Sequence, residues 1–243
     1  SRQDLSLIDL ERKCLRDCDT VIAQLPSVGE SARKIHGFAP EEWAPRVRCH
    51  APPVILDHRA PATSSSPARS DQPIAFTSKL QRVKRPDLFV RGVSAFARRH
   101  ANYRGSFQLS AHSNDGAYES HVRHLIPPDQ EARFQFWPQL SGLERESMIA
   151  SSTVVVPSGY ESFCLAAYEA SLLGARVILN GANPAFDDQS PWIDGVNCFK
   201  FDGTASGLTD ALERNFAQDA PLQVVTLRQD PWPWAVSPDP RCW

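Results

Sequence analysis

The sequence predicts an α/β fold, a doubly wound parallel sheet with helices on both faces. Two observations predict it. From residue 74 onward, short β-branched or aromatic runs alternate with amphipathic stretches of helical length. Within that pattern VVVPSGYESFCLAAYEASLLGARVIL, residues 154–179, reads as strand, helix and strand, one crossover of a parallel sheet. The strand Val154-Val155-Val156 stops at Pro157, the helix runs over 163–173 to Gly174, and Val177-Ile178-Leu179 opens the next strand.

The elements follow in order. Residues 10–37 read as a helix, a strand over 20–25 and a helix ended by Gly37. Residues 60–73, APATSSSPARSDQP, are rich in proline and serine without periodicity, the composition of a linker or exposed loop. Then come a strand at 74–77, a helix at 87–100 with Leu88, Val93 and Phe96 on its apolar side, and a strand at 107–111. A helix at 117–125, a strand at 134–137 and a helix at 143–150 lead into the crossover. A strand at 198–201 and a helix at 208–216 close the regular part. The tail holds DPWPWAVSPDPRCW, too many prolines for regular structure, and its tryptophans are expected to dock on a surface. The expected divisions are 1–59, 60–73, 74–218 and 219–243. The chain opens on Ser1 rather than methionine, so a piece of a longer or processed chain is expected.

Composition narrows the function. At 243 residues one or two domains fit, and 42% apolar residues suffice for ordinary cores. A net charge of −2 argues against a nucleic-acid binder, which shows a basic face. No run approaches a membrane span, and no signal peptide is expected. Six scattered cysteines fit reduced thiols in the cytoplasm better than a disulfide framework, with the inner face of a membrane as an alternative location. Cys14 and Cys18 stand one helical turn apart without a second ligand pair, and His112, His121 and His124 read as helix surface, so no metal is expected.

The residues that ask for a function are two glutamates in the crossover. Glu161 lies just past a strand end, where ligands of such sheets bind, and Glu169 lies one to two turns into the helix. The first amides of that helix attract phosphate. A phosphate between two polyols, as in a nucleotide sugar, would match this set. The other reading leaves Glu161 favouring the positive helix end and Glu169 reaching solvent. A second cluster, FTSKLQRVKRPDLF, follows the strand at 74–77. Arginine supplies 21 of the 26 basic residues, leaving five lysines, and two of them, Lys79 and Lys84, stand here. Ammonium groups suit diphosphate oxygens, although a solvated basic loop has the same composition.

Together these segments resemble retaining glycosyltransferases of the GT-B fold, family 4 in particular. The family pattern Pro-Ser-x-x-Glu-x-Phe-x-Leu-x-x-x-Glu-Ala, then Gly-x-x-Val-Ile, is met by Pro157, Ser158, Glu161, Phe163, Leu165, Glu169, Ala170, Gly174, Val177 and Ile178. TSKLQRVKRPDLFVRGVSAF resembles the family's Gly-Arg-Leu-x-x-x-Lys-Gly segment, with Lys79 at the arginine and Lys84 at the lysine. WIDGVNCF resembles its late Asp-Gly-x-Asn-Gly turn, and residues 10–37 resemble the last helix–strand–helix of its amino-terminal domain. The resemblance implies a Rossmann-like donor-binding domain with a remnant of the amino-terminal, acceptor-side domain. It implies that Lys79, Lys84 and the amides of Phe163, Cys164 and Leu165 hold the donor diphosphate. Glu169 would bind the ribose hydroxyls, Glu161 would contact the transferred sugar with Lys84 beside it in the catalytic group, and the base would lie near Trp137 and Leu140. Transfer would proceed with retention and without a metal, to a saccharide, lipid-linked saccharide or protein acceptor, in polysaccharide or glycoconjugate biosynthesis. A missing amino-terminal domain or partner chain would complete the cleft.

The departures are specific. Ser78 and Arg85 stand where the family has glycine, LSAHSND replaces a Gly-x-Gly turn, and Cys198 replaces a glycine. His36, His50 and His58 do not match the family's catalytic histidine by position. A non-catalytic nucleotide-sugar-binding or scaffold domain is the alternative from another class, and an epimerase or hydrolase of the same fold a third.

Overall fold

The computed structural model describes residues 2–52, 54, 56, 69–110, 112–138 and 140–226. Two compact units divide the chain, one within Ser1–Pro52 and one within Pro53–Thr226.

The first unit contains α1 (Arg2–Asp17), β1 (Val21–Ala23), α2 (Pro26–His36), α3 (Pro40–Trp43) and β2 (Val47–Cys49). Helix α2 begins at Pro26, where a missing N–H costs nothing. It ends on Gly37 at φ 69°, and the Phe38 N–H closes back on the Arg33 carbonyl at 3.0 Å. Strands β1 and β2 pair in parallel, Val21 opposite Val47. The helix, strand and helix read from the sequence are present, while β2 and α3 were not foreseen. VRC lies between prolines and is too short to carry a period; it becomes a strand because β1 offers a ladder.

The second unit is the doubly wound sheet. Its elements are β3 (Ile74–Phe76), α4 (Pro86–Arg99), β4 (Phe107–Ser110), α5 (Gly116–His124), β5 (Phe134–Trp137), α6 (Gly142–Ala150), β6 (Thr153–Val156), α7 (Leu165–Leu172), β7 (Arg176–Asn180), β8 (Phe199–Phe201) and α8 (Ala205–Ala217). The six strands run parallel in the order β5-β4-β3-β6-β7-β8. Strand order therefore reverses between β3 and β6. Every element that the sequence predicts from residue 74 onward appears, with ends shifted by up to three residues.

Burial on both faces explains the continuous apolar strands. Ile74, Phe76, Phe107, Leu109, Val155, Ile178 and Phe199 join Leu88, Phe89, Val93 and Phe96 of α4 and Leu208 and Leu212 of α8 in one core. Their neighbours Ala75, Val154, Val156, Val177 and Leu179 are equally buried, and by the two-residue period they face the other side, where α7 packs on β6 and β7. Gly92 is what lets α4 and α8 meet. A Cβ there would stand 2.5 Å from Leu208 Cδ2, and the bare backbone carbonyl accepts from Thr209 Oγ1 at 3.1 Å.

Residues 69–72, in the serine- and proline-rich segment, are bonded to this unit. The Arg69 guanidinium donates to the Asn215 and Asp219 carbonyls at 2.7 and 2.9 Å, and Tyr103 Oη donates to the Gln72 carbonyl at 2.8 Å. At the other end, Val225 is buried and its N–H donates to Ser171 Oγ at 2.9 Å. The remainder of that segment, 60–68, and the tail tryptophans lie outside the described residues, as does His58. Among the described residues no helix is long and apolar enough to cross a membrane.

Two non-glycine residues adopt left-handed backbone, Arg85 at φ 55° and Cys164 at φ 69°. Arg85 links the 3-10 turn Arg82–Lys84 to α4, and among the described residues its side chain bonds Asp87, at 3.2 Å. Arg85→Gly is expected to stabilise the fold by about 0.5–1 kcal/mol, because relief of the left-handed strain exceeds the loss of a half-exposed ion pair. A urea midpoint for the two proteins measures it. Burial pushes the Cys164 thiol up to about 12, with Glu161 adding to the effect, and burial likewise pushes Cys198 up to about 12. Above pH 9 the unfolded thiols lose protons that the folded ones keep, so the unfolded state binds fewer and stability falls as pH rises toward 12. Between pH 8 and 10 each thiol is expected to contribute roughly 1 kcal/mol of that loss, and Cys198→Ala should flatten the slope in denaturation at the two pH values.

Candidate functional site

Adjacent strands β3 and β6 send their chains to opposite faces, to α4 and to α7, and leave a crevice beyond their carboxyl ends. A cavity of about 650 Å³ opens there. The loop after β3 contributes Ser78, Lys79, Gln81 and Lys84; the start of α6 contributes Ser141, Gly142, Arg145 and Glu146; Glu169 comes from α7 and His112 follows β4.

Two ion pairs organise the site. Lys84 Nζ donates to both Glu161 oxygens, at 2.7 and 2.8 Å, with the side chains 25% and 9% exposed. An ammonium has three N–H groups, so one is left. Arg145 Nη2 donates to Glu169 Oε2. Lys79 is exposed and has no ion partner among the described residues.

The loop that carries Glu161 is clamped from two sides. Gly159 N–H donates to the Val83 carbonyl at 2.8 Å, tying it to the turn that carries Lys84. From β7 and the chain beyond it, the Asn180 and Asn183 carboxamides both donate to the Ser158 carbonyl, at 3.1 and 3.0 Å. Asn183 Oδ1 accepts from the N–H of Glu161 at 3.3 Å and of Ala185 at 3.0 Å. Asn183 is fully buried, so its carboxamide works without competition from water.

The N–H groups of Ser162, Phe163 and Cys164 have no protein partner among the described residues. They precede α7, whose N-cap residue Cys164 makes no side-chain cap. Free amides at a helix start are donors of the kind that suits an anion. Phe163 itself is buried and stacks on Tyr168, ring centroids 4.2 Å apart, which fixes the approach to the helix.

Of the residues singled out in the sequence, Lys79, Lys84, Leu140 and Glu169 line this cavity, and Glu161 is bound to Lys84. Phe163, Cys164 and Leu165 are not on its lining; their side chains pack or face outward. Trp137 lines a separate cavity of about 430 Å³ that shares Leu140 with the first. His112 reaches the cavity, whereas His121 stacks on Tyr118 and His124 bonds Ser120. Among the described residues no cluster of three His, Cys, Asp or Glu side chains could hold a metal.

Sequence reasoning missed Arg145, Asn180 and Asn183. Arg145 sits in a helix of mixed charge and carries no local signal. The two asparagines had one: NGAN directly follows an apolar strand, at the sheet end where ligands bind.

No family model matches the chain, and no curated protein matches it. Solved structures do share its fold. A glycosyltransferase from Rickettsia africae ESF-5 superposes with a TM-score of 0.68 at 13% identity, covering 85% of this chain and 56% of that one. Anabaena HepE in complex with UDP and glucose superposes at 0.62 and 16% identity, covering 83% and 54%. The C-terminal domain of a glycosyl transferase group 1 family protein from Francisella tularensis superposes at 0.54 and 14%, covering 68% of this chain and 88% of that domain. The chain thus spans about half the length of the first two. The α/β, Rossmann-like sheet is the one that these GT-B glycosyltransferases contain.

Asn183→Ala is expected to destabilise the second unit by about 2–3 kcal/mol, since two buried N–H groups and the Ser158 carbonyl lose a partner. Equilibrium denaturation checks it. An effect near zero would mean that the loop carrying Glu161 holds its place without the clamp.

Proposed function

We propose that this chain supplies the donor-binding half of a retaining glycosyltransferase that uses a nucleotide-diphosphate sugar. One observation carries the reading. Lys79 and Lys84 stand on one wall of the switch-point cavity, Glu169 stands on another, and unpartnered amides at 162–164 begin the adjoining helix. Cations and free N–H groups suit a diphosphate, and a carboxylate suits a hydroxyl pair. The neighbouring HepE was solved with UDP and glucose, which accords with such a donor.

In this reading the diphosphate takes the third N–H of Lys84, the ammonium of Lys79 and the amides of Phe163, Cys164 and Leu165. Glu169 receives the ribose hydroxyls. Leu140 borders the base, with Trp137 in the cavity beyond it. Glu161 meets the transferred sugar beside Lys84. Stabilisation of the leaving diphosphate by these fixed positive groups supplies the catalysis, with no protein nucleophile and no metal. The acceptor is a saccharide, lipid-linked saccharide or protein, and an amino-terminal domain or partner chain completes the cleft. The expected setting is cytoplasmic synthesis of a polysaccharide or glycoconjugate.

A second reading, a nucleotide-sugar-binding scaffold without catalysis, is favoured by the internal pairing. Lys84 is matched by Glu161 and Arg145 by Glu169, so a donor would compete with contacts within the protein. Nucleotide binding together with slow donor hydrolysis separates the enzyme from the scaffold.

Calorimetric titration of the chain with UDP, GDP, ADP and dTDP, with and without Mg²⁺, tests the donor site. One of them is expected to bind without Mg²⁺, and Lys84→Ala to weaken the diphosphate about tenfold or more while affecting the nucleoside less. Equal affinity of Lys84→Ala, Glu169→Ala and the unaltered chain would remove the assignment.

A further inference from the structure

Arg145 has no role in the donor-site reading above. It lies on α6, one turn past the helix start, and Glu169 lies on α7, with β6 and its loop between them in sequence. Both line the cavity, and their side chains are 27% and 17% exposed. The guanidinium uses one N–H on Glu169 Oε2. Glu169 Oε1 has no protein partner among the described residues. The pair therefore offers the cavity an acceptor, Oε1, beside a group with N–H donors to spare. A lone carboxylate can only accept. An acceptor next to a donor matches a vicinal diol, in which one hydroxyl donates to Oε1 and its neighbour accepts from the guanidinium.

We propose that Arg145 is a positioning residue that aims the Glu169 carboxylate and, with it, makes the site selective for donors whose nucleoside carries both ribose hydroxyls. This rests on the donor-site reading. The carboxylate of an unsupported Glu169 would turn about its side-chain torsions; the single hydrogen bond from the guanidinium to Oε2 restricts that freedom. A 2′-deoxyribose would leave one member of the pair unmatched in a half-buried setting.

The test is titration of the full chain with UDP, GDP and ADP and with dUDP, dGDP and dADP. The unaltered chain is expected to prefer the ribonucleotide by about tenfold or more, the loss of one hydrogen bond to a charged group. In Arg145→Ala the diphosphate still binds and the ribose preference falls toward one, while Arg145→Lys, which keeps one charged donor, restores part of it. A preference unchanged in Arg145→Ala overturns the proposal. So does a proportional loss of affinity for both sugars, the signature of a merely structural side chain. If Arg145→Ala does not fold, Arg145→Gln, which keeps a donor without the charge, takes its place with the same readout, and the same two results overturn the proposal. The two readings fail differently. A chain that binds no ribonucleoside diphosphate removes the donor site itself, whereas one that binds both sugars equally leaves the donor site and removes only this role.

Discussion

Everything at the carboxyl edge of the sheet depends on β3 and β6 lying side by side while their chains depart to opposite faces. That divergence leaves a crevice that no crossover helix fills. It also brings two loops far apart in sequence, around residues 82–84 and 157–161, to one place. Lys84 and Glu161 then pair across 77 positions. The pair is half-buried and bidentate, so removing either member strands a charge rather than merely deleting a contact. The Gly159–Val83 bond and the asparagine clamp behind Ser158 hold the same two loops in register. These bonds hold the charged groups that border the crevice in fixed positions.

The opposite edge is closed by a different device. Arg176, at the start of β7, is buried, and burial with the nearby Arg69 charge holds its guanidinium down at about 10. It donates to Asn215 Oδ1 at 2.6 Å and to the Gln218 and Ala220 carbonyls at 3.1 and 3.0 Å. These acceptors lie at or just beyond the end of α8, where free carbonyls and the helix dipole favour a cation. At the amino-terminal edge Arg176 is held by hydrogen bonds to neutral acceptors, whereas charged side chains line the cavity at the carboxyl edge.

Much of the second unit was legible from local pattern. Val154-Val155-Val156 and Val177-Ile178-Leu179 are aliphatic runs rich in β-branched residues, and any ladder partner would make them strands. Helix α4 announces itself by Leu88, Val93 and Phe96 and by the proline at its start. Glu161 and Glu169 stood out as carboxylates in a segment otherwise fit for burial, and Lys79 and Lys84 as two of only five lysines in one loop after a strand. Strand β2 was not legible, since three residues between prolines carry no period. Arg85 was legible as a departure from glycine, but its φ of 55° was not.

The sequence alone determined the alternation of strands and helices and the residue types that follow each strand end, because each follows from neighbours within a turn or two of chain. Tertiary structure decided how those residues are used. That Lys84 grips Glu161, that Arg145 reaches Glu169 and that Asn183 holds the Glu161 amide are distances across separate crossovers. Such pairings depend on strand order and on which face each helix covers. Strand order here is settled by burial of a common core, a property of the whole sheet that no single stretch of sequence contains.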